Sequence, residues 1–302
     1  MYRFPACVLL MFMIGSAHFA RASRANDDQS FSPRYGPFGL FDSRSMYGKG
    51  VLPEPFLVDD SDLEVNEVRF DWFHQGSSGQ TGNLLRGELE HGFGMMTVEA
   101  EVPYLYNTKR SFETAVGHSV HTTSQGFDNV SIGVRNPIFQ YVSSNEFIDT
   151  TFGVGLEVGI PTNSPVSKNA EVVPKLFDDV RIGDHFTVQT VLGYSTLYGS
   201  KPDGGTETFE YGLVFGWSIP HEQLPLPGIE QVVPMFEIQG DTLLDTSDAG
   251  SNSLLGNAAF RLNLRSIGAV QPRLGLGYVF PMDKGGRDEL RWGIYTSLVF
   301  EF

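Results

Sequence analysis

The chain offers few residues whose spacing could do covalent chemistry. His118, Ser119 and His121 stand close together, with Asp128 beyond them. A serine hydrolase would need a His–Ser pair held rigidly by its scaffold. The sequence places these residues in a polar connector, and no Gly-x-Ser-x-Gly elbow accompanies them. His118 and His121 lack a third ligand at metal-site spacing. Asp241, Asp245 and Asp248 lack the spacing of a calcium loop. The sequence therefore predicts no catalytic residue, no metal site, no cofactor and no enzyme.

The charges that alternate with apolar residues say more. Arg69, Arg86, Arg261, Arg273 and Arg291 fall on the polar faces of successive extended segments. If the last segment neighbours the first, these five form one basic wall. Glu88, Glu90, Glu99, Glu101, Glu157, Glu210 and Glu237 fall on the same faces further round, as an acidic wall. Fixed charges around a water-filled path set selectivity. On that reading Arg273 and Arg291 attract anions while Glu99, Glu101 and Glu157 oppose them. If the two signs pair across strands instead, they fill a narrow interior. The first arrangement makes a pore and the second a structural protein.

The elements that must position these charges are strands. Side chains on a strand point alternately to opposite faces. Val68, Phe70 and Trp72 alternate with Arg69, Asp71 and Phe73; Phe209, Tyr211, Leu213, Phe215 and Trp217 alternate with Glu210, Gly212 and Gly216. Segments of about ten residues with this period and turn residues between them are the signature of a transmembrane barrel. About twelve such segments can be counted. The weakest runs from Val172 to Arg181, because Asp178 falls in phase with Leu176 and Val180. Odd-numbered connectors (Gln75–Gly82, Leu105–Ser124, Pro161–Asn169, Gly199–Gly205, Asp241–Asn252, Met282–Asp288) read as longer than even ones, with the proline-rich His221–Glu230 as the exception. That asymmetry suits long external loops and short periplasmic turns.

Composition agrees. The 302 residues hold 34 Gly, 24 Phe, 11 Tyr and 3 Trp. No stretch after the N-terminus reaches the ~18 apolar residues of a spanning helix. The net charge of −15 excludes a nucleic-acid partner, which would call for a basic face. Arg3, the apolar run Ala6–Ala17 and the small residues Ala20 and Ala22 read as a secretory signal peptide over 1–22. It contains Cys7, the sole cysteine, so its removal leaves no thiol. Residues 23–62, broken by Pro33, Pro37, Pro53 and Pro55, read either as an irregular extension on the periplasmic side that packs Phe38, Leu40 and Phe41 against the barrel mouth or into it, or as a disordered linker. Residues 63–302 read as the barrel.

Two resemblances follow from particular stretches. The final strand, LRWGIYTSLVFEF, resembles the C-terminal assembly signal of bacterial outer-membrane barrels. That likeness implies that Phe300 and Phe302 are read by the barrel-assembly machinery. LLRGELEHGFGMMTVEAEVPYLY, GFDNVSIGVRNPIFQYV, TTFGVGLEVGIPTNS, FEYGLVFGWSI, VPMFEIQGD and PRLGLGYVFPM resemble hairpins of the outer-membrane family named for the meta-pathway of phenol degradation. Asp128, Gly133, Gly159, Pro161 and Gly240 sit where that family repeats such residues, although this chain has PTNS where the family more often has PTGS. The resemblance implies a channel or transporter for small, often aromatic, compounds, with no catalytic residues.

The expectation is an all-β, antiparallel outer-membrane β-barrel of about twelve strands with an irregular N-terminal extension. Its expected role is passive passage of small organic solutes, and its expected partners are outer-membrane lipid, the assembly machinery and those solutes. The alternative is a non-conducting barrel with a structural or adhesive role.

Overall fold

The computed structural model describes residues 54–59, 61, 66–77, 80–94, 96–113, 118–143, 145, 147–199, 207–245 and 247–302. The expected signal peptide, and Phe38, Leu40 and Phe41, lie outside the described residues. Fourteen strand runs follow one another: β1 (Asn66–Ser77), β2 (Gln80–Phe93), β3 (Met96–Glu113), β4 (His118–Phe127), β5 (Val130–Val142), β6 (Ile148–Ile160), β7 (Ala170–Ile182), β8 (Phe186–Tyr198), β9 (Glu207–Trp217), β10 (Ile219–Pro220), β11 (Ile229–Leu243), β12 (Asn252–Leu264), β13 (Gln271–Pro281) and β14 (Trp292–Glu301). A short helix, α1 (Lys284–Glu289), bridges β13 and β14.

Twelve of these runs are the staves of a closed antiparallel barrel. β4 pairs only with the distal half of β3, and β5 takes over beside its proximal half. β4 and β5 are therefore one strand interrupted at Asp128 and Asn129. β10 continues β9 past Ser218. Closure runs through β1 and β14, in a register that sets Val68 against Phe300 and Gly76 against Trp292. A closed ring leaves no barrel edge with unpaired backbone groups, which hydrocarbon would penalise heavily.

The alternation seen in the sequence is the inside–outside pattern. Phe70, Leu85, Leu89, Val102, Ile132, Leu156, Leu176, Leu274, Leu276 and Tyr278 are exposed and apolar. Their neighbours Arg69, Asp71, Glu88, Glu90, Ser131, Arg135, Asn257, Arg261 and Ser297 are buried and polar. A soluble β-protein would show the reverse, with its apolar side chains inside. Asp178 of β7 does face outward, as its phase predicts, and accepts a hydrogen bond from Thr150 of β6 at 2.9 Å.

The connectors differ in part from expectation. The proposed Gln75–Gly82 loop is mostly strand, because β1 runs to Ser77 and β2 begins at Gln80. The proposed Leu105–Ser124 loop is the β3–β4 hairpin, which places His118, Ser119 and His121 on a strand. Both segments carry polar residues on both faces, so they lack the apolar phase that marks strands inside a membrane. One rim of the barrel carries the end of β14, residues 94, 143, 145 and 147, and the connectors 183–185, 221–228 and 265–270. The opposite, distal rim carries 161–169, 199, 244–245, 247–251 and 282–291.

Candidate functional site

The lumen is occupied by the chain's own segment Glu54–Asp59, with Ser61. Phe56 and Val58 are each under 5% exposed, and so is Glu54. Five sets of contacts hold the segment. The Glu54 carboxylate pairs with Arg261 Nη1 at 2.7 Å and with the Arg273 guanidinium. Arg261 Nε donates to the Glu54 carbonyl at 2.8 Å, and Arg69 Nη2 to the Pro55 carbonyl at 2.6 Å. Glu237 Oε2 accepts the backbone N–H groups of Phe56, Leu57 and Val58 at 3.0, 2.8 and 3.2 Å. Asp59 pairs with Lys175 of β7 at 2.6 Å. Ser61 Oγ donates to Asp179 at 2.6 Å and accepts from Gln189 at 3.1 Å.

Shape complements these polar contacts. The Phe56 ring packs edge-on against Tyr295 at 5.3 Å between centroids, and Arg261 Cζ lies 4.8 Å from its centre. Beneath that ring is Gly275, where a Cβ would meet Phe56 at 2.5 Å; Gly212 makes room for Val58 in the same way. Glycine at these two wall positions is required by the close approach of the segment. The apolar cluster inside the barrel is built around it: Phe56 and Val58 contact a set that includes Phe177, Val191, Val214, Met235 and Tyr295.

The segment is a re-entrant loop. Glu54 lies beside Arg273, two residues into β13 from the rim that carries the end of β14. Ser61 lies beside Asp179 and Gln189, each three residues from that same rim. Asp59, between them, reaches Lys175, midway along β7. Glu54 and Ser61 thus both lie near one rim, and Asp59 between them lies deeper.

The wall charges sort as follows. Arg69, Arg86, Arg261 and Arg273 face the lumen. Arg291 does not join them: it precedes β14, is exposed, and donates its backbone N–H to the Gly76 carbonyl at 2.8 Å at the distal rim. Its phase matches the inward face, but the ring ends one residue later. Arg69 pairs with Asp71 at 2.8 Å, and Arg86 with Asp71 at 2.5 Å and Glu101 at 3.3 Å. Glu88 lies 3.9 Å from Arg86. Glu90 and Glu99 are bridged by Arg135 at 2.5 and 3.3 Å. Glu157 pairs with Lys175. Glu210 stands across the strand pair from Asp241. Beside Glu210, Lys175, Val58 and Gln239 line a small cavity of about 40 Å³. Basic and acidic groups are interleaved, so the expected separation into facing walls does not describe the lumen. Phe300 lies on β14 opposite Val68, and the backbone N–H of Phe302 donates to the Asn66 carbonyl at 2.9 Å.

Sequence reasoning missed Glu54, Phe56, Asp59, Ser61, Arg135 and Lys175 as parts of the site. Arg135 and Lys175 could have been found from their inward phase. The loop residues carry no periodic signal.

An outer-membrane channel from Pseudomonas putida F1 superposes on this chain with a TM-score of 0.51, covering 84% of this chain and 98% of that one at 12% identity. The fold is a closed, antiparallel twelve-stranded β-barrel resembling that of outer-membrane channels. A NanC porin structure aligns over 78% of this chain and 98% of its own, with 10% identity and a TM-score of 0.46. No family model and no curated protein matches the sequence of the barrel.

Proposed function

We propose that this chain is an outer-membrane channel for passive passage of small organic solutes, shut by its own re-entrant loop. One observation carries the reading: Arg261 and Arg273, in the lumen near the rim that carries the end of β14, both meet a carboxylate that belongs to the loop, Glu54, which shares Arg273 with the wall carboxylate Glu301. The segment crosses the lumen without joining the sheet, and side-chain contacts hold it there. Such contacts can be exchanged for water or solute without breaking a strand pairing. In this reading the rim with the short turns is periplasmic, residues 1–22 direct export, and the apolar belt meets lipid. The likeness of the hairpins to the phenol meta-pathway family supports aromatic cargo.

A second reading has its own support. The wall–wall pairs Arg86–Asp71–Glu101 and Arg135–Glu90–Glu99 fill part of the interior independently of the loop. These favour a structural, non-conducting barrel. Planar-bilayer recording of the refolded full chain separates the two. The channel reading expects brief openings in the wild type and long ones in Glu54→Gln. A wild type and a Glu54→Gln variant that both remain silent, and that admit no small solute to liposomes, leave the structural reading.

A further inference from the structure

The loop that fills the lumen has the chemistry of a ligand. Glu54 presents a carboxylate to Arg261 and Arg273. Two residues on, Phe56 presents a phenyl ring to the slot made by Gly275, Tyr295 and the face of Arg261. Both guanidinium groups are more than nine-tenths buried. Withdrawal of the loop opens this place to water and leaves Arg261, and Arg273 with its wall partner Glu301, as cationic groups that a solute anion can meet. Arginine suits a carboxylate because its planar fork can donate two parallel hydrogen bonds. It also stacks on aromatic faces. The loop thus fills both halves of a site whose two recognition elements are adjacent.

We propose that Glu54–Pro55–Phe56 occupies, from within the chain, the lumenal binding site for a small aromatic carboxylate, and that such a solute displaces the loop by competing for Arg261 and Arg273. This rests on the channel reading and gives it a substrate class and an opening mechanism. Solute binding and loop withdrawal are coupled because one site cannot hold both. A ligand that binds only the loop-free state shifts the population toward it.

The test uses the full chain with Cys7→Ser and Val58→Cys. Val58 is buried against Gly212, so a thiol there reacts with a soluble maleimide only when the loop leaves. Benzoate is the probe; benzylamine, benzyl alcohol and sodium chloride, at matched ionic strength, are the controls, because added salt alone screens ion pairs. Benzoate is expected to accelerate labelling severalfold and the controls to leave it unchanged. Adding Glu54→Gln should raise basal labelling and lower the benzoate concentration that gives half the effect. Adding Arg273→Gln, in protein that keeps its heat-modifiable mobility, should abolish the benzoate response.

Labelling indifferent to benzoate in both the parent and the Glu54→Gln variant overturns the proposal, even if the barrel conducts. Equal acceleration by benzylamine or chloride also overturns it, since that is screening and not recognition. A silent barrel whose labelling still responds selectively to benzoate supports the binding site while removing the channel reading.

Discussion

Glu237 and Leu57 are 180 residues apart in the chain and joined by a 2.8 Å hydrogen bond from the Leu57 N–H to the Glu237 carboxylate. The same oxygen also takes the N–H groups of Phe56 and Val58. A single wall carboxylate therefore satisfies three consecutive backbone donors of the loop. Irregular backbone inside a barrel has no ladder to satisfy it, and each orphaned buried N–H costs about 1–3 kcal/mol.

Glu237→Ala should therefore loosen the loop by at least about 2 kcal/mol. Limited proteolysis is the measurement. Cleavage within residues 54–61 should accelerate while the barrel keeps its heat-modifiable mobility. Unchanged protection of the loop would count against Glu237 as its main anchor.

Asp59 and Lys175 should be energetically coupled. Lys175→Met strands Asp59 and Glu157 and should cost up to about 3–5 kcal/mol, the range for breaking a buried pair. The Asp59 side chain is 37% exposed, so the lower end applies. Asp59→Asn in the same chain should recover part of the loss, and a double-mutant cycle should return a coupling of roughly 0.5–3 kcal/mol. Strictly additive losses would show that the pair does not hold the loop.

Leu276, in mid-strand on β13, is 42% exposed and points away from the lumen. Leu276→Arg should destabilise the folded barrel by about 2–4 kcal/mol in bilayers if the site lies near the membrane midplane. Equilibrium unfolding from lipid vesicles checks this. A neutral result would remove the lipid-facing assignment of β13.

Asp283 caps α1 at the distal rim. Burial alone would raise its pKa. The N–H groups of Gly286 and Leu254 and the Asn252 amide, at 2.7, 3.0 and 2.9 Å, instead hold it below the ordinary aspartate range. A depressed carboxylate stabilises the fold above its unfolded pKa, and that contribution is lost as pH falls through the folded value. The protection of residues 283–290 against hydrogen exchange, taken relative to the pH-dependent intrinsic rate, should fall below about pH 4. Asp283→Ala should give fast exchange already at neutral pH, since losing an N-cap costs about 0.5–2 kcal/mol.

The staves were legible because a strand in a membrane obeys one rule, apolar out and polar in, residue by residue. Even Asp178, which breaks the rule, could be placed by phase, and its Thr150 partner shows how the exception is tolerated. Legibility failed where that rule does not operate. Beyond the apolar band, β3 and β4 continue as polar strand, which the sequence pattern reads as loop. Arg291 has an inward phase, yet it sits just past the ring, and phase carries no information about depth. The loop itself was invisible because Glu54, Phe56 and Ser61 gain their meaning only from Arg261, Tyr295 and Asp179. No local preference of an irregular, proline-bearing stretch encodes partners more than a hundred residues away.

Glu54 and Ser61, at the two ends of the described segment, lie near the same rim, and this bears on the order of events during biogenesis. A segment that ran through the lumen from rim to rim would have to be threaded, or be enclosed as β1 met β14. A segment that dips in and returns can arrive after the ring has shut, and can leave and re-enter as often as its contacts permit. The ring and its stopper are therefore separable events. A newly made barrel can pass through an interval in which it is complete and unguarded.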